Sequence, residues 1–158
     1  MTPNSLTQSH LPILERQYPD ITGTLMAFDF GEKRIGVATG ETILKTAHAL
    51  TTIEAEQNDV KFARIAKLIT EWQPSLLIVG LPTYKDGEPH LLTNLAKKFA
   101  QRLEGRFSLP VIMVDERLSS AEAAQSLSVV GVSSIKQKAM IDAVAAQTIL
   151  QSYFDAKP

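Results

Sequence analysis

Four carboxylates stand where the surrounding sequence does not call for charge. Asp29 closes an apolar run that starts at Thr24, and Asp115 and Glu116 close a second run that passes through Val111, Ile112 and Val114. Asp142 lies in a helix-like stretch, between Ile141 and Val144 and close to Ala145 and Ala146. A mid-helix Asp is a mediocre helix former, and an apolar neighbourhood penalises its charge unless it is paired or holds a cation. Carboxylates with no soft ligand beside them suit Mg²⁺ or Mn²⁺. Two such ions can activate a water and stabilise the leaving oxygen of a phosphodiester. Each acid alone also has a plain role: a strand-end cap for Asp29, an ion pair with Arg117 for Glu116, an i,i+4 pair with Lys138 for Asp142. Spacing does not show that the four converge.

Cations flank these acids. Lys33 and Arg34 follow Asp29, Arg117 follows Glu116, and Lys136 and Lys138 precede Asp142. All five are candidates for holding phosphate oxygens, arginine with the option of a bidentate contact. Lys98, Arg102 and Arg106 recur every four residues and read first as the solvated face of a helix. His10, His48 and His90 are scattered without metal-ligand spacing.

The elements that must position these groups follow from periodicity. Residues 24–29, 35–39 and 46–53 read as three strands joined by short turns, an antiparallel meander, with Gly31 supplying unusual backbone angles in the first turn. Phe62, Ile65, Ile69 and Trp72 then recur at helical spacing until Pro74, with Trp72 in the core. Residues 76–80 and 109–115 are continuous apolar runs, the pattern of strands buried on both faces. Between them residues 91–106 form a helix with Leu95, Phe99 and Leu103 on one side. Residues 119–127 begin with a capping box, Ser119 with Glu122, and 135–154 form a last helix. The order βββ-α-β-α-β-α-α is an α/β fold: a mixed five-stranded sheet flanked by helices. In such sheets the ends of the central strands face one crevice, and a helix packed across it could add Asp142 to the strand-end acids.

The chain has 158 residues, enough for one domain with its own core. Residues 1–22 read as a partly flexible N-terminal tail and 23–155 as the domain. With no cysteine there is no disulfide, thiolate metal site or cysteine nucleophile. The net charge of −1 excludes binding of nucleic acid through bulk charge, but not a local basic patch working with metal ions. No apolar run spans a bilayer and no signal peptide is visible, so a cytoplasmic protein without membrane contact is expected. Asp29-Phe30-Gly31 could also open the phosphate loop of an actin-like or Hsp70-like ATPase, but no second glycine-rich phosphate motif accompanies it.

Four segments in order carry a more specific signal. Phe28-Asp29-Phe30-Gly31-Glu32-Lys33-Arg34-Ile35-Gly36-Val37-Ala38, Gly80-Leu81-Pro82 with Gly87, Asp115-Glu116-Arg117-Leu118-Ser119-Ser120, and Ile141-Asp142-Ala143-Val144-Ala145-Ala146 together resemble the YqgF/RuvX family. The resemblance runs from about Leu25 to Tyr153. That family is associated with Holliday-junction resolution and with maturation of the 5′ end of pre-16S rRNA.

The resemblance implies a ribonuclease H-like fold. It also implies a metal cluster of Asp29, Asp142 and an acid of the Asp115-Glu116 pair, serving as catalytic centre for one or, more plausibly, two Mg²⁺ or Mn²⁺ ions. Related resolvases place an acid on the fourth strand, where this chain has Gly80. Alternation puts Asp115 with Val111 and Met113 and Glu116 with Ile112 and Val114. Because the strand ends there, the choice stays open, with Asp115 slightly preferred. The expected activity is phosphodiester hydrolysis in structured nucleic acid, first pre-16S rRNA, by a monomer or weak dimer. The alternatives are a DNA junction resolvase and a non-catalytic ribosome-assembly factor.

Overall fold

The computed structural model describes residues 21–81, 91–115 and 134–156, with side chains of the last segment from Met140 onward. The expected tail, the capping-box helix at 119–127, Glu116 and Arg117 lie outside the described residues.

Strand β1 (Thr24–Asp29) carries four consecutive side chains with no solvent exposure, Leu25 to Phe28. Only a central strand covered on both faces accommodates that run. β2 (Arg34–Glu41) and β3 (Thr46–Glu54) follow as the expected antiparallel meander, and β4 (Leu76–Leu81) and β5 (Val111–Asp115) add in parallel on the other side of β1. The sheet order is β3-β2-β1-β4-β5. The mixed five-stranded sheet of the sequence reading is therefore present.

Boundaries shift for local reasons. Arg34 belongs to β2 rather than to the turn. β5 starts at Val111 because Pro110 has no N–H for the ladder, though its carbonyl accepts from Leu77 N at 3.0 Å. Gly31 is not left-handed; Gly23, at φ 114°, is the positive-φ glycine among the described residues. What Gly31 provides is room, since a Cβ there would lie 2.6 Å from the Arg34 carbonyl oxygen.

Two apolar layers follow strand alternation. Met26, Phe28, Ile35, Val37, Leu77, Val79 and Val111 face helices α1 (Asn58–Trp72) and α2 (Leu91–Phe107), where Phe62, Ile65, Phe99 and Leu103 complete the cluster. Trp72 departs from expectation: it ends α1, is 39% exposed, and is followed by Gln73 in the left-handed conformation at φ 48°. On the other face Leu25, Ala27, Ala47, Leu76, Ile78 and Ile112 meet helix α3 (Ser134–Ala156) through Ile149, Leu150 and Phe154. No helix among the described residues is long and apolar enough to cross a membrane.

The position of α3 decides where Asp142 sits, and two devices fix it. The first is a missing side chain. A Cβ on Gly36 would lie 1.8 Å from the carbonyl oxygen of Asp142, so the helix backbone rests directly on β2 at this glycine. The second is a pair of glutamines. Gln151 Oε1 accepts from Ala47 N and Gln147 Nε2 donates to Ala47 O, each at 3.0 Å, while Gln151 Nε2 donates to Lys45 O at 3.0 Å. These bonds hold α3 against the outer strand, about one and a half to two and a half turns from Asp142.

Candidate metal centre

Asp29 ends β1 on the face of Leu25 and Ala27, which is the face under α3. Its cross-strand partner is Gly36, the residue on which the Asp142 backbone rests. Directly opposed residues of an antiparallel pair are about 4.5–5.5 Å apart at Cα and share a face. The chain thus brings Asp29 and Asp142 into one neighbourhood across 113 residues of sequence (142 − 29), through the absence of a side chain between them. Asp29 is half-buried and engaged in an interaction of its own.

Arg34 lies on the same β2 face, two residues before Gly36. Its Nε is 3.0 Å from Asp142 Oδ2, with the two side chains 39% and 20% exposed. The contact is an ion pair not aligned as a hydrogen bond, and Oδ2 is shut away from solvent. Burial pushes the Asp142 carboxyl above its usual range. The Arg34 guanidinium pulls it the other way, and Glu54, which is the cross-strand partner of Arg34, adds to the rise. A buried carboxylate oxygen without a hydrogen bond is costly, and a hard cation is one remedy. Asp29 and Asp142 supply hard oxygen donors of the kind a divalent ion takes, two carboxylates among the described residues.

The remaining predicted residues divide. On β5, Met113 packs with the α1–α2 cluster and Val114 with the α3 cluster, so alternation gives Asp115 the α1–α2 side, opposite Asp29 and Asp142. Asp115 is exposed and makes an interaction of its own. Gly80, the β4 position paired with Val114, is buried on the α3 side and brings no acid. Among the described residues no three acidic or histidine side chains are grouped so as to hold a metal. Glu116 and Arg117 fall outside them.

Lys33 is 80% exposed and only 4.0 Å from the equally exposed Glu56, a screened surface pair. Lys136 and Lys138 belong to the first turns of α3, with their side chains outside the described set. Of the stripe on α2, Arg106 is occupied, its guanidinium 4.2 Å from the Phe62 ring centre. The sequence reading missed Glu54 and Gly36. Both carry a signal only in retrospect, as the cross-strand partners of Arg34 and Asp29.

Asp29 at the end of a central strand, and Asp142 on the helix packed over the same face beside Arg34, set acids and a cation together in a way compatible with hydrolysis of phosphodiesters. Comparison with known proteins narrows that chemistry. The RuvX family model, described as a Holliday junction resolvase, matches residues 23–156, and the chain belongs to this family. A relative from Methylobacillus flagellatus named "Putative pre-16S rRNA nuclease" is 65% identical over 133 residues, covering 84% of this chain and 91% of its own. One from Dechloromonas aromatica with the same name is 59% identical over 134 residues, covering 85% and 92%. The solved structure of T. thermophilus RuvC in complex with a Holliday junction substrate superposes with a TM-score of 0.53 at 13% identity. It covers 85% of this chain and 95% of that one, and shares the ribonuclease H-like fold.

Proposed function

We propose that the protein is a divalent-metal-dependent nuclease that hydrolyses phosphodiester bonds in pre-16S rRNA near its 5′ end, acting in the cytoplasm. The observation that carries the reading is the Asp29–Gly36–Asp142 arrangement, with Asp142 Oδ2 buried and without a hydrogen-bond partner. Asp29 and Asp142 would hold Mg²⁺ or Mn²⁺, with an acid of the Asp115-Glu116 pair as the third ligand; Asp115 on the α1–α2 side of β5 leaves Glu116 as the candidate. When bound, two such ions activate a water and stabilise the leaving oxygen. Arg34, already beside Asp142, and Lys33 at the mouth of the crevice orient the phosphate, with Arg117, Lys136 and Lys138 as further phosphate contacts. The names of the curated relatives support the RNA substrate.

A second reading, a DNA junction resolvase, is supported by the family description and by the fold shared with RuvC. It requires paired symmetric cuts and hence a two-fold dimer on the junction, whereas a monomer or weak dimer suffices for RNA. One experiment separates the readings. The protein and its Asp29→Asn variant are incubated with a 5′-extended 16S precursor RNA and with a four-way DNA junction, in Mg²⁺, Mn²⁺ or EDTA. Metal-dependent cleavage of the RNA that vanishes in Asp29→Asn, at unchanged circular dichroism, is the expected result. Cleavage of the junction alone selects the resolvase. Binding without any metal-dependent product leaves a non-catalytic assembly factor.

A further inference from the structure

Lys61 stands apart from every other cation of the described residues. It is 6% exposed, on the α1 face that covers the sheet. A lysine is almost never fully buried without a partner. Its Nζ donates a hydrogen bond to the backbone carbonyl of Glu32, in the turn that links Asp29 to Arg34. The ammonium lies 6.0 Å from the centre of the Phe30 ring, at the outer limit of a cation–π contact. Phe30 in turn packs on Phe99, with ring centres 4.9 Å apart. The next carbonyl of the turn, that of Lys33, accepts from Ala55 N at 3.0 Å. Two consecutive carbonyls are thus held by two different elements, α1 and the end of β3.

The side chains of the same turn behave differently. Lys33 extends into solvent, and Arg34 reaches along the opposite face of the sheet to Asp142. A cation that served only to attract a polyanion would sit at the surface, where its charge reaches the ligand. Lys61 is placed to act on the backbone instead. We propose that Lys61 is a positioning residue for phosphate recognition: it fixes the turn at residues 30–33, so that Lys33 and Arg34 meet a nucleic-acid backbone at a set distance from Asp29. The proposal rests on the nuclease reading of the site, but its structural half can be read without activity.

The test compares wild type with Lys61→Met, which keeps the apolar stem and removes the donor, and with Lys61→Arg, which restores a donor. Hydrogen exchange of the metal-free protein is read first. A hydrogen bond from a charged donor is strong enough that its loss should speed exchange in the 30–34 segment about tenfold or more. Exchange in β1 and β4 should be unchanged, and Lys61→Arg should recover most of the protection. Binding of labelled precursor RNA in EDTA should weaken several-fold in Lys61→Met. Cleavage should show a raised KM with kcat within about twofold, because the proposed metal ligands are untouched.

A merely structural lysine would lower Tm while leaving the exchange of this turn, RNA binding and KM at their wild-type values; that outcome overturns the proposal. So does faster exchange spread over the whole domain. If Lys61→Met is too unstable to measure, Lys61→Gln, too short to reach the same carbonyl, carries the same expectations. If wild type binds RNA but cleaves nothing, the nuclease reading fails while the exchange and binding measurements still decide the role of Lys61.

Discussion

Replacing Gly36 by alanine tests the central geometry, because it adds one methyl group between the two acids' supports. The new Cβ would lie 1.8 Å from the Asp142 carbonyl oxygen and 2.2 Å from its carbon. A carbon–oxygen contact closes at about 3.3 Å, so α3 must lift by about 1.5 Å at this point. Backbone opposes backbone here, and no side-chain rotamer can relieve the overlap. The cost should therefore fall in the upper part of the overpacking range, about 2–3 kcal/mol. At about 2–4 °C per kcal/mol for a chain of this size, Tm should drop by about 4–12 °C. Displacing Asp142 by more than 1 Å from Asp29 should lower kcat by about 100-fold. Gly105→Ala is the matched control. Nothing lies within 4 Å of a Cβ at that exposed helical position, so it should gain about 0.5–1 kcal/mol and keep full activity. Thermal unfolding by circular dichroism and cleavage of precursor RNA in Mn²⁺ read both effects. A Gly36→Ala protein with wild-type Tm and wild-type cleavage would refute the seating of α3 on this glycine, and with it the proposed route by which Asp142 reaches Asp29.

Two further predictions concern the acids. Because burial raises the Asp142 carboxyl above its ordinary value of 3.8, the folded state holds this proton more tightly than the unfolded chain. Stability should therefore fall as pH rises from about 3.8 through the folded value, with the penalty complete above it. In EDTA, Asp142→Asn should gain on wild type as pH is raised across that window; a variant that loses ground instead would mean that the Arg34 ion pair outweighs desolvation. At the end of β5, Glu116→Gln should abolish metal-dependent cleavage while Asp115→Asn retains at least about a tenth of it, because Asp115 lies on the side of the sheet away from Asp29 and Asp142. The reverse pattern would place the strand-end ligand at Asp115.

Much of the fold was legible because it depends on local pattern. The run Leu25–Phe28 ending at Asp29 shows a buried strand with a charged end, and the Phe62–Ile65–Ile69 spacing shows a helix. The acids were legible for the same reason: an Asp between Ile141 and Val144 breaks the pattern around it. Side and register were less accessible. Asp29 and the Asp142 backbone flank one glycine because β1 and β2 pair at Asp29 and Gly36, and because Gln147 and Gln151 bond a strand about 100 residues earlier in the chain. None of these long-range terms leaves a mark on its own stretch of sequence. Gly36 and Gly40 give no sign in their own stretch of sequence that α3 lies against both. Lys61 carries no signal in the sequence pattern, because its partner is the Glu32 carbonyl on another element.

The near-neutral composition has the same explanation as the site. An enzyme that draws in a polyanion by net charge needs an excess of lysine and arginine over its whole surface. Here several cations are engaged within the fold instead: Arg34 on Asp142, Lys61 on the Glu32 carbonyl, Arg106 on the Phe62 ring. Lys33, 80% exposed, has only a screened contact with Glu56. Divalent ions bound to Asp29 and Asp142 would reverse the local sign, cancelling the carboxylates and leaving Arg34 as uncompensated positive charge. Affinity for nucleic acid should then depend on the metal more than on the sequence-wide charge. On this account RNA binding should tighten when Ca²⁺ replaces EDTA, and the gain should be lost in Asp29→Asn, where a neutral amide replaces one of the two carboxylates.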